Sequence, residues 1–163
     1  MLNSDTMTIT TPNDREIEIT RVFDAPRTLV FKALTTPELL KTWLLGPPGW
    51  TMTVCEIAPK AGSAYRFEWR KDDGTVMGMG GVLREVIQYE RMVSTERFDT
   101  SWYPGEAVIT QSLVEKNGRT TLTMTMRYES REARDMVVQS GATAGMGMGY
   151  DRLDELLLSL GAA

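Results

Sequence analysis

Residues 130–160 read SREARDMVVQSGATAGMGMGYDRLDELLLSL and carry two helical stripes that do not line up. In the second half Tyr150, Leu153, Leu156, Leu157 and Leu160 recur at helical spacing, while Asp151, Arg152, Asp154, Glu155 and Ser159 fall on the other side. In the first half Ala133, Met136, Val137, Ser140 and Ala144 form a stripe of their own. At about 100° per residue the two stripes project to different sides of one straight helix. The spacing therefore predicts a break, and Gly141 is its expected place, because glycine readily takes the left-handed conformation that ends a helix.

Gly141, Gly145 and Gly149 then follow at four-residue spacing with Met146 and Met148 interleaved. Each glycine costs a helix interior about 1 kcal/mol relative to alanine, so the bare strip needs a physical reason. One reason is close approach of the helix to a sheet. The other is a hollow between helix and sheet, lined by adaptable methionines.

The rest of the chain supplies the sheet. Residues 1–14 are polar and threonine-rich, and read as a flexible or weakly ordered extension. Ile17, Ile19, Val22 and Phe23 give a strand over Glu16 to Phe23, with one slip of alternation near Arg21. Asp24-Ala25-Pro26 opens a short helix ending near Thr35, and Thr36-Pro37 opens a second that stops at Gly46-Pro47-Pro48-Gly49. Strands follow at Trp50 to Ile57, Ala64 to Arg70, Val76 to Val86, Met92 to Phe98, Ala107 to Val114 and Thr121 to Tyr128. Asp72-Asp73-Gly74 and Asn117-Gly118 are hairpin turns. A run of strands followed by a helix argues for an α+β fold, an antiparallel sheet of six to seven strands curling around the terminal helix.

Composition narrows the function. The 163 residues suit one domain able to bury about 70% of the surface its unfolded chain exposes. A net charge of −4 with mixed signs gives no phosphate-neutralising stripe, so nucleic acid is not an expected partner. No apolar run of spanning length occurs, so neither is a membrane. The single cysteine, Cys55, cannot form an internal disulfide, and the expected location is cytoplasmic. Histidine is absent, which removes Ser-His-Asp and Cys-His machinery and histidine metal sites. No metal and no cofactor are expected.

Several segments resemble a known family. They are Asp14-Arg15-Glu16, Thr20-Arg21-Val22-Phe23-Asp24-Ala25-Pro26, Val30-Phe31, Trp43 with Gly46-Pro47, Gly81 through Val86, Glu90 through Val93, Thr95-Glu96, and the tail from Gly145 to Leu157 with Tyr150-Asp151-Arg152-Leu153. Together they are similar to the heat-shock-protein-90 ATPase activator homologue family of the START-like, or SRPBCC, superfamily. The resemblance implies the helix-grip fold, a curved antiparallel sheet wrapped around a long C-terminal helix with a cavity between them, over residues 15–163. It does not imply a co-chaperone role, because the eukaryotic activators carry a further N-terminal domain. Two segments depart from the family pattern. Ala58-Pro59-Lys60-Ala61-Gly62-Ser63 stands where relatives have Asp-x-Arg-x-Gly-Gly, and Trp43-Leu44 where a Trp-Trp pair is common.

Trp43, Trp50, Trp69, Met77, Met79, Phe98, Met124, Met126, Gly145, Met146, Gly149 and Tyr150 are the expected surroundings of a ligand beneath the terminal helix; the competing assignment is an ordinary packed core. Glu56 and Glu96 are the candidate carboxylates for acid–base chemistry, both expected to point inward. Cys55, mid-strand and without a histidine, reads as a structural thiol, and Gly78, Gly80 and Gly81 lie inside a strand rather than in a phosphate loop. The leading expectation is a binding domain for an apolar or amphipathic small molecule. The alternatives are a cofactor-free cyclase or hydrolase in the same cavity, and a protein-interaction or co-chaperone-like module. A second copy of the chain, as a homodimer, is the protein partner left open.

Overall fold

The computed structural model describes residues 7–161. The elements are β1 (Thr8–Thr10), β2 (Glu16–Phe23), α1 (Arg27–Thr35), α2 (Pro37–Trp43), β3 (Trp50–Glu56), β4 (Ala64–Lys71), β5 (Val76–Ile87), β6 (Arg91–Phe98), β7 (Ala107–Lys116), β8 (Arg119–Arg127), α3 (Arg131–Gln139) and α4 (Ala142–Gly161). The strands form one antiparallel sheet in the order β1-β2-β8-β7-β6-β5-β4-β3. After β2 the chain crosses through α1 and α2 to the far edge, then returns hairpin by hairpin until β8 pairs with β2. The helices α3 and α4 close the structure, giving the curved sheet and long C-terminal helix of a helix-grip fold.

The sheet has eight strands rather than six or seven. The addition is β1, from the segment expected to be weakly ordered. Thr8, Ile9 and Thr10 pair with Thr20, Ile19 and Glu18, while residues 1–6 lie outside the described residues. Asn117 and Gly118 both take positive φ, 54° and 75°, as a two-residue turn between right-twisted strands requires.

The break in the terminal helix falls where the stripes place it. Ser130 caps α3 by accepting a hydrogen bond from the Ala133 N–H at 3.1 Å, and Gly141, with φ +81°, separates α3 from α4. The buried face of α3 is Ala133, Arg134 and Val137; Met136, Ser140 and Ala144, expected on that stripe, are exposed. On α4 the residues Tyr150, Leu153 and Leu157 are buried as expected.

Two charged residues depart from the expected pattern, and they do so together. The alternation in β2 has no slip: Ile17, Ile19, Arg21 and Phe23 are all buried, with Arg21 only 1% exposed. Asp154, expected on the polar side of α4, is also fully buried. Arg21 Nη2 donates to Asp151 Oδ1 at 2.9 Å and lies 3.9 Å from Asp154 Oδ2. A buried charge needs a partner of opposite sign, and here β2 and α4 supply each other's. The Arg21 guanidinium also packs 5.6 Å from the centre of the Phe23 ring.

Candidate functional site

Between the sheet and the helices the structure holds a cavity of about 540 Å³. Strands β4 to β8 supply its floor, α3 and α4 its roof, and α2 with the following loop one end. Alternation of side chains across a strand places Tyr65, Phe67 and Trp69 of β4 on one face, and likewise Met92, Ser94, Glu96 and Phe98 of β6. All of Trp43, Trp50, Trp69, Met77, Met79, Phe98, Met124, Met126, Gly145, Met146, Gly149 and Tyr150 line this cavity. Of the lining residues, Pro47, Met77, Ser140 and Gly141 are exposed, which sets the opening between α2's loop, the β4–β5 hairpin and the α3–α4 break.

Much of the lining is apolar because the polar atoms of Trp43, Trp69 and Tyr65 are already bonded. The Trp43 indole N–H donates to the Ala33 carbonyl at 3.0 Å and that of Trp69 to the Leu44 carbonyl at 2.7 Å, so both rings present carbon. Tyr150 stacks on Trp43 at 6.1 Å and meets Phe23 edge-on at 5.7 Å. The Tyr65 hydroxyl donates to the Thr95 carbonyl at 2.5 Å.

Of the two causes proposed for the glycine strip, the structure has the hollow and not a close approach to the sheet. Gly149 and Gly145 line the cavity, and their close neighbours belong to α2 and its loop rather than to the sheet. A methyl group at Gly149 would meet the Trp43 carbonyl oxygen at 3.5 Å, and one at Gly145 the Pro47 ring at 3.7 Å. Both distances are ordinary contacts, so neither glycine is forced by a clash.

Glu96 and Glu56 part company. Glu56 is exposed on the outside of β3, because a bulge between Met52 and Val54 shifts the alternation and brings Cys55 inward instead. Its expected inward position is therefore corrected. Cys55 itself is buried, and burial pushes its thiol pKa up, against the pull of the Lys41 charge. Glu96 does line the cavity, and its Oε2 accepts a hydrogen bond from the Tyr103 hydroxyl at 2.9 Å. Burial pushes the Glu96 carboxyl above its ordinary range, with the Tyr103 hydrogen bond pulling the other way. Burial and the neighbouring Glu96 charge in turn raise the Tyr103 phenol.

Sequence reasoning did not select Tyr65, Ser94, Trp102, Gln111 or Tyr128 as site residues, yet they line the same cavity. Tyr65 and Tyr128 share faces with Trp69 and Met126 respectively, so the alternation carried their signal. Trp102 lies in the irregular β6–β7 connection, where no period exists to read.

The family described as "Activator of Hsp90 ATPase homolog 1-like protein" matches the chain over residues 24–158. The chain belongs to that family. The match to this Hsp90-activator-like family covers both short helices, the cavity-lining strands and nearly all of α4. A crystal structure of a protein from Rhodobacter sphaeroides is 32% identical, with a TM-score of 0.88 over 94% of this chain and 99% of that one. A protein from Chromobacterium violaceum is 25% identical, with a TM-score of 0.78 over 89% of this chain and 98% of that one. A Mycobacterium smegmatis protein shares the fold at 21% identity, with a TM-score of 0.82 over 93% of this chain and 96% of that one. No protein of curated function matches the chain. Among the described residues no helix is long and apolar enough to cross a membrane.

Proposed function

We propose that this protein binds an apolar or amphipathic small molecule beneath α4. The observation that carries this reading is the cavity of about 540 Å³ with its aromatic and methionine walls. That volume falls inside the roughly 300–1,000 Å³ range typical of ligand pockets. The unbranched thioethers of Met77, Met79, Met124, Met126 and Met146 can repack around ligands of different outline, so the reading is of a tolerant site rather than a single rigid fit. A cytoplasmic role accords with the free, buried Cys55.

Gly145 sits in the lining, and its Cβ position meets only the Pro47 ring at an ordinary 3.7 Å, so Gly145→Phe puts a bulky side chain into the cavity from its roof. Wild-type protein should gain thermal stability with 4-phenylbutan-1-ol, and folded Gly145→Phe should not. An equal response in both proteins would place the ligand elsewhere. Native mass spectrometry of the protein as purified reads the ligand class directly if a molecule is carried along.

One observation favours a second reading, a cofactor-free hydrolase or cyclase acting on a hydrophobic substrate. It is the Glu96 carboxyl, raised by burial and open to the cavity, which is the state a general acid or base needs. Turnover of 4-nitrophenyl butyrate that disappears in Glu96→Gln supports this reading, and a rate equal to that of the variant removes it for ester substrates.

A further inference from the structure

Glu96 also says what kind of ligand the cavity prefers, on the footing that the cavity binds one. Among the described residues that line it, Glu96 is the only acidic or basic side chain. Its Oε2 is taken by the Tyr103 hydroxyl, and Oε1 has no hydrogen-bond partner among the described residues. Aromatic rings gather around its hydrogen-bond partner, Tyr103. Tyr103 meets Phe98, Trp102 and Tyr128 edge-on at 6.0, 5.0 and 5.1 Å, and those three rings line the cavity beside Glu96.

The geometry points to an apolar amine as the preferred ligand class: a protonated amino group seated against Glu96 Oε1 among the rings of Phe98, Trp102 and Tyr128, with the hydrocarbon body along the methionine wall. An ammonium is attracted both by a carboxylate, through a charge-assisted hydrogen bond, and by the faces of aromatic rings. A neutral alcohol of the same shape can donate to Oε1 but brings no charge to balance it. A carboxylic acid meets a like charge with no basic side chain to offset it.

The preference carries a pH signature with a definite sign. In the free protein burial holds the Glu96 carboxyl above its ordinary range, and an ammonium beside it favours the ionised form. Amine binding therefore releases a proton, and amine affinity rises with pH through the raised Glu96 pKa, up to the point where the amine itself loses its proton. The titratable groups around Glu96 are the phenols of Tyr65, Tyr103 and Tyr128, all pushed up by burial first and by the Glu96 charge second, so none of them titrates in that window.

The test uses the full chain and three probes of one shape: 4-phenylbutylamine, 4-phenylbutan-1-ol and 4-phenylbutanoate, titrated by calorimetry. The amine is expected to bind at least tenfold more tightly than the alcohol at pH 8, with the acid weakest, and the amine advantage is expected to shrink as pH falls toward the ordinary glutamate range. Glu96→Gln should bring the amine down to the affinity that the same variant has for the alcohol. Equal binding of amine and alcohol to the wild type, or an amine preference that survives Glu96→Gln, would overturn the amine assignment while leaving the ligand-binding reading in place. Binding of none of the three would overturn both. Should Glu96→Gln fail to fold, the wild-type pH dependence decides alone: an amine-to-alcohol ratio that is flat from pH 5 to 8 rejects the proposal.

Discussion

The two halves of α4 solve opposite problems with one helix. From Asp151 to Leu157 it is packed shut: Leu153 and Leu157 are buried, and Asp151 and Asp154 grip Arg21 of β2. From Ala142 to Gly149 it lines a cavity, with glycine at two of the positions that look inward. The packed half holds the helix on the sheet, so the open half need not contribute contacts and can leave room. The glycine strip is tolerable because another segment of the same helix anchors it.

Breaking the packed half should cost most. Arg21→Ala removes the buried cation shared by the buried Asp154 and the partly exposed Asp151, and a loss of about 3–5 kcal/mol is expected in urea unfolding. Joint replacement by Arg21→Met and Asp154→Leu should recover much of that loss, because a buried ion pair can be exchanged for apolar packing.

Truncating one apolar side chain in each half separates them directly. Leu157 is 1% exposed, and Leu157→Ala should cost about 3 kcal/mol through lost burial and the cavity left behind. Met146 is half-buried and already borders empty space, so Met146→Ala should cost about 1 kcal/mol or less. Equal losses at the two sites would mean that the open half is packed after all.

Glu96 sharpens the contrast through pH. Its folded-state pKa lies above its unfolded one, so its contribution is most favourable below the ordinary glutamate range and is lost as pH rises through the raised value. Glu96→Gln should thus gain stability relative to wild type between pH 4 and pH 8, measured by thermal unfolding at each pH. A constant difference across that range would place the carboxyl in contact with bulk water.

A comparably small effect, of opposite sign, is expected at Gly149 in the open half itself. A methyl group at Gly149 meets the Trp43 carbonyl oxygen at an ordinary 3.5 Å, so Gly149→Ala should stabilise by about 1 kcal/mol from helix propensity. A clear loss would show that α4 and α2 approach more closely than that distance allows.

What was legible in the sequence follows the same division. Strand alternation, the Asn117-Gly118 turn and the break at Gly141 are local signals, and each is found where its own chemistry puts it. The cavity lining was readable wherever residues alternate, as at Trp69, Met124 and Met126. Glu56 was misplaced because a bulge of one residue inverts every side chain after it, and no residue near Met52 announces it. Arg21 and Asp154 were misplaced because each looks like a surface residue alone. Only the fold brings these complementary charges, on β2 and α4, within reach of each other.

The most direct measurement is a calorimetric titration of 4-phenylbutan-1-ol into the wild-type protein and into Gly145→Phe. A saturable one-to-one isotherm in the first, and heats of dilution in a second that melts cooperatively, are the predicted result. Heats of dilution in both, or matching isotherms in both, would contradict a ligand site beneath the glycine-bearing half of α4.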